Sequence, residues 1–130
     1  MLSKPSITAS EEEIFQFVHE WIKLCALGMH KEAFSILDSP LKPDSHEWGP
    51  EDIREITFDH FDDEKYPVIT DPDKFISTIK KYIYKYDDDS GWAVEYDLPL
   101  NGVMSDFTLM FDFIKDGEYY KVILDDCHVM

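Results

Sequence analysis

Near the C-terminal end of this chain the run Asp125-Asp126-Cys127-His128 sets two carboxylates, a thiol and an imidazole side by side. These are the groups of a cysteine nucleophile with its histidine base, or of a metal site. A strand turns adjacent residues to opposite faces, so Cys127 and His128 would not meet, and the run reads as structural or surface. A better acid–base couple is Asp106 with His128, where strand pairing brings them together. At a pocket mouth that pair would move protons, while at a strand end it would act as a structural cap, which is the favoured reading. No catalytic residue is assigned.

The run Asp87-Asp88-Asp89-Ser90-Gly91 has the carboxylate density of a calcium loop. It lacks the alternating ligand spacing and the terminal bidentate glutamate of an EF-hand, and reads as a solvated hairpin tip. Together with Asp59, Asp62, Asp63 and Glu64 it makes a candidate partner-facing acidic surface. The remaining histidines, His19, His30, His46 and His60, show no ligand spacing, and His19, beside Glu20 on helix one, is expected on the solvent side. No Gly-rich phosphate loop, serine nucleophile elbow or His-x-x-x-His is present, so neither a metal nor a cofactor is expected.

The charge sets limits on partners. Asp and Glu number 28 against 12 Lys and Arg, for a formal net charge of −16 on 130 residues. Such a field repels nucleic acid and anionic membrane surfaces and speeds encounter with basic proteins. Arg54 is the sole arginine, which argues against an Arg-lined phosphate site. With 44% hydrophobic and 15% aromatic residues the chain can bury a core, so the acidity belongs to a folded surface. One domain over residues 1–130 is expected, with 1–9 loose ahead of the first helix. Cys25 falls in an apolar helical stripe, and Cys127 does not suggest a disulfide framework. Nothing resembles a signal peptide or a membrane span of about 18 apolar residues, and a cytoplasmic protein is expected.

These residues need elements to hold them. Ser10 with Glu13 makes a capping box, and Ile14, Phe17, Val18, Trp21 and Cys25 recur at helical spacing up to Gly28 as the C′ residue. A short second helix is expected from about His30 to Leu37. A third should start at Gly49-Pro50 and carry Ile53 and Ile56 to about Phe61. Beyond residue 66 the period shortens, with a short strand expected over Tyr66–Ile69. Tyr82-Ile83-Tyr84-Lys85-Tyr86 favours a strand, Trp92–Leu98 its return, Asp106–Ile114 a long strand and Tyr119–Leu124 the last. Pro99-Leu100-Asn101-Gly102 and Lys115-Asp116-Gly117 read as turns.

Three N-terminal helices followed by an antiparallel meander make an α+β arrangement. From about Glu11 to Val129 this order resembles the NTF2-like, or cystatin-like, cone, in which a curved antiparallel sheet wraps the first helix. The strings Asp97-Leu98-Pro99-Leu100-Asn101-Gly102, Ser105-Asp106-Phe107-Thr108 and Asp125-Asp126-Cys127-His128-Val129 resemble a small bacterial family of that fold with a D-L-P-L-x-G, S-D-L-T and D-x-H-V pattern. That family brings no chemistry to carry over. The wider resemblance implies an enzyme, carrier, transport factor or immunity protein, so fold alone does not choose. The leading expectation is a non-catalytic acidic binding protein, an immunity-type inhibitor of a basic toxin or enzyme. The second is a small-molecule carrier or isomerase- or hydrolase-like enzyme. Its pocket would be lined by Trp21, Tyr96, Phe107 and Phe111, with Asp106, Asp97 or His128 as polar groups. The third is a homodimer through the sheet face, where Tyr82, Tyr84 and Tyr120 would be available.

Overall fold

In a computed structural model the described residues are 2–38, 48–49, 51–53, 55, 69–75, 78–100 and 102–129, without the side chains of Asp106, His128 and Val129. The α+β class holds. Helix α1, Glu11–Ala26, begins where the Ser10 side chain accepts from the Glu13 amide at 3.2 Å, with three glutamates in its first turn to complement the helix dipole. It ends in a Schellman turn. Gly28 sits at φ 80°, its amide donating to the Cys25 carbonyl and that of Met29 to the Leu24 carbonyl.

Helix α2 is shorter than expected, His30–Ser35, because it has no side-chain cap and only Ala33 is fully buried. The Trp21 indole N–H donates to the Ala33 carbonyl at 2.7 Å and its ring meets Phe34 edge-on, which docks α2 on α1. Of the third expected helix, 51–53 and 55 are helical, and Asp52 accepts from the Gly49 amide at 2.7 Å as a cap. The remainder of that helix, the Tyr66–Val68 part of the expected short strand, and Asp59, Asp62, Asp63 and Glu64 lie outside the described residues. Pro72–Phe75 adds a 3-10 turn, opened by Asp71 accepting from the Asp73 amide.

The strands are β1 Lys81–Lys85, β2 Gly91–Leu100, β3 Val103–Asp116 and β4 Tyr119–Val129, in one antiparallel sheet of order β1-β2-β3-β4. Ile69 adds an isolated bridge to Leu100. Two register shifts interrupt the ladder, one between Asp97 and Pro99 and one where Met110 pairs Asp126 but Phe111 pairs Leu124. The second leaves Asp125 as the extra residue. It lets β4 continue past the expected end at Leu124. Likewise Pro99, Leu100 and Ser105 lie within strands rather than turns, and Ser105 stitches the first irregularity by donating to the Leu98 carbonyl at 2.5 Å.

Helix α1 packs on the face carrying Val94, Tyr96, Leu109, Phe111, Phe113, Val122 and Leu124. The contacts include Phe17 on Phe113 at 5.8 Å and Trp21 on Phe111 at 5.3 Å between ring centroids, both edge-on. Residues 2–9, expected to be loose, are instead pinned. The Ile7 amide donates to Glu118, and Pro5 accepts from the Tyr120 amide. Asp38 extends this cover, donating its amide to the Val122 carbonyl while its carboxylate accepts the Val122 amide at 2.9 Å. No helix among the described residues is long and apolar enough to cross a membrane.

Candidate functional site

The residues expected to line a pocket are packed against one another. Trp21, Tyr96, Phe107 and Phe111 are all 2% exposed or less. Trp21 is gripped between Phe34 and Phe111, and Phe111 leans on Phe113. By backbone register position 128 pairs Thr108, two residues beyond Asp106, so the strands set these two positions two rungs apart. Their side chains lie outside the described residues. Thr108 donates to Asp97 at 2.9 Å, which gives Asp97 a structural bond. Cys127 and Cys25 are buried free thiols that burial pushes up to about 12, far from the thiolate a nucleophile needs.

His19 corrects the sequence reading. It is 6% exposed, not solvated. Its Nδ1 meets the Tyr96 hydroxyl at 2.9 Å and its Nε2 the Asp73 carboxylate at 2.6 Å. Lys23, one turn further along α1, donates to the other Asp73 oxygen at 2.5 Å. The His19 and Lys23 hydrogen bonds hold the Asp73 carboxyl below the usual carboxylate range. Burial, with the Asp73 charge second, pushes the Tyr96 phenol up to about 12, so it stays a neutral donor. One imidazole tautomer satisfies the chain: Nε2–H donates to Asp73 and Nδ1 accepts from Tyr96. Sequence reasoning missed this because His19's partners stand 77 and 54 positions away.

The acidic tip is partly committed to its own fold. Asp89, at φ 61°, takes ion pairs from Lys85 at 2.9 Å and Lys115 at 3.1 Å, which hold its carboxyl low. Asp88 caps the turn, accepting from the Ser90 amide at 3.0 Å. Asp87 is exposed. Among the described residues no group of three or more His, Cys, Asp or Glu is placed to hold a metal ion.

The sheet face turned away from α1 is different in kind. Tyr82 pairs Glu95, and Tyr84 pairs Ala93, which pairs Asp112 on β3. Tyr82 and Tyr84 are 55% and 53% exposed. Partial burial and the nearby Glu95 charge raise the Tyr84 phenol. The Tyr86 hydroxyl donates to Asp112, and burial followed by that bond raises its phenol further. Tyr120, expected on this face, lies on the α1 side instead, 2% exposed, where Trp92 donates to its hydroxyl at 3.0 Å. The reason is register: Tyr120 pairs Lys115, which shares its face with Phe113.

Comparison with the curated proteins and with the solved structures gave no match. A family model does match, over residues 32–130, which takes in most of α2 and every strand of the sheet. On that extent the chain belongs to the family described as Domain of unknown function (DUF7668).

Proposed function

We propose that this protein is a non-catalytic acidic binding module, built as an NTF2-like cone, that captures a basic protein surface in the manner of an immunity-type inhibitor. One observation carries the reading. The aromatic residues that a ligand pocket would need are spent on one another beneath α1, while Tyr82 and Tyr84 stand exposed beside carboxylates on the opposite face. Aromatic residues in a charged surround are the usual anchors of a protein interface, and a chain of net charge −16 steers a basic partner toward them.

The test is a low-salt pull-down on the immobilised full chain, followed by purification of what elutes on a salt gradient. The reading expects one basic protein, released at high salt, whose association rate falls steeply with ionic strength and whose own activity is blocked in the complex. An eluate with no stoichiometric basic protein, or turnover of a small molecule by the chain itself, overturns it.

A further inference from the structure

We infer that the outer face of β1–β2–β3 is a seat for an arginine or lysine side chain of the partner, formed by the rings of Tyr82 and Tyr84 with the carboxylates of Glu95 and Asp112. The inference rests on the reading above and names the contact within it. It begins with the alternation in β1, Lys81-Tyr82-Ile83-Tyr84-Lys85. Because successive side chains leave a strand on opposite faces, Lys81 and Lys85 go with Ile83 to the α1 side, and both tyrosines go to the other. On the α1 side the cations already sit on rings. The Lys81 ammonium lies 5.0 Å from the Phe15 centroid and that of Lys85 5.8 Å from the Trp92 centroid. Lys85 and Lys115 also close on Asp89.

The outer side holds the same acceptors, and the cation that the ladder sets on it among the described residues, Lys121, stands on β4 opposite Ile114, at the far side of the sheet from Tyr82 and Tyr84. Tyr82 and Tyr84 offer open ring faces, and Glu95 stands directly opposite Tyr82, about 5 Å away between Cβ atoms for such a pair. The Asp112 carboxylate is already oriented by the Tyr86 phenol, and the Glu95 charge lies near enough to Tyr84 to raise its phenol. A carboxylate has about four lone-pair sites, so one phenol bond leaves the rest for an incoming donor. A flat guanidinium can stack on a tyrosine ring while its edge forks onto the carboxylate, and an ammonium can use the same ring face as a point charge. A second copy of this chain suits the face poorly, because each copy carries a net charge of −16 and would meet its like there.

The experiment titrates the isotope-labelled full chain at low salt with a hexa-arginine peptide, with hexa-citrulline as the neutral isostere. Amide shifts should centre on residues 82, 84, 95 and 112 for arginine and be absent for citrulline. Tyr82→Ser with Tyr84→Ser should weaken arginine binding roughly tenfold, while Tyr82→Phe with Tyr84→Phe stays within about twofold, since phenylalanine keeps the ring face. Saturable shifts elsewhere on the acidic surface, with the Ser variant unaffected, overturn the seat and leave the basic-partner reading standing. No binding of the arginine peptide at low salt overturns both. Concentration-dependent dimerisation of the peptide-free protein through residues 82 and 84 overturns the seat in favour of a second copy.

Discussion

At the scale of single residues, the decisive group is His19. Its ring is buried with both nitrogens bonded, and no buried side-chain nitrogen or oxygen among the described residues lacks a partner. Replacing it with Leu leaves the Tyr96 hydroxyl buried and unsatisfied, a cost of about 1–3 kcal/mol. The His19→Leu, Tyr96→Phe double variant should lose less than the two single variants summed, because the second change removes the stranded hydroxyl. Urea unfolding of the four proteins checks this, and strict additivity would count against the linkage. Asp73 gives a pH signature. Its folded pKa lies below the ordinary aspartate value, so its stabilisation is complete above about pH 4 and fades as pH falls through the depressed value. The gap in urea midpoint between wild type and Asp73→Asn should therefore be constant near neutrality and shrink below about pH 4. A gap that widened on acidification would contradict the assignment. The sequence revealed little of this, since a helical wheel shows which side of α1 is apolar but not which histidine finds a partner across the fold.

At the scale of elements, sequence periodicity served well wherever local chemistry decides. The Ser10 cap, the left-handed Gly28 stop, the Tyr-Ile-Tyr strand and the hairpin turns at Gly102 and Gly117 all stand where their residues demand. It failed where the determinant is non-local. The last strand reads as ending at Leu124, yet the extra residue at Asp125 restores the alternation so that Cys127 is buried opposite Leu109. Gly91 is a second such case. It reads as the end of a turn but opens β2, and a Cβ there would fall 1.7 Å from the Phe113 carbonyl oxygen. That neighbour is backbone and cannot swing aside, so Gly91→Ala should destabilise by about 1–3 kcal/mol, like other overpacked sites. A melting curve unchanged from wild type would show that the two strands can part more easily than their register implies.

At the scale of the whole molecule, the charge is spread rather than concentrated. Residues 1–65 and 66–130 both carry a clear excess of acid, so the field has no single pole. Long-range attraction then sets how fast a basic partner arrives, and local contacts set where it stays. Asp87 is the cleanest probe of the first step, because Asp88 and Asp89 also hold their turn together. Asp87→Lys should slow association with the basic partner severalfold at low salt, and the difference should vanish near 1 M salt, where the screening length is about 3 Å. A dissociation rate that changed instead would make Asp87 a contact residue and not a steering charge. The overall charge and the fold class were legible from composition and element order. Alternation also made the exposure of Tyr82 and Tyr84 legible, but not the burial of Tyr120, because that follows from the register of β4 on β3.

The cover over β4 has a consequence for how the molecule behaves in a crowd. An outer strand is a template onto which another chain can crystallise, and growth from both edges of a sheet produces a fibre. Here the outward groups of Glu118, Tyr120 and Val122 are occupied in turn by Ile7, Pro5 and Asp38. The N-terminal residues thus act as a chain terminator for sheet growth. With the Tyr119–Val122 stretch of that edge stopped, β1 is the strand that carries no such cover among the described residues, and strand addition there is steered toward closing at a pair and away from propagating.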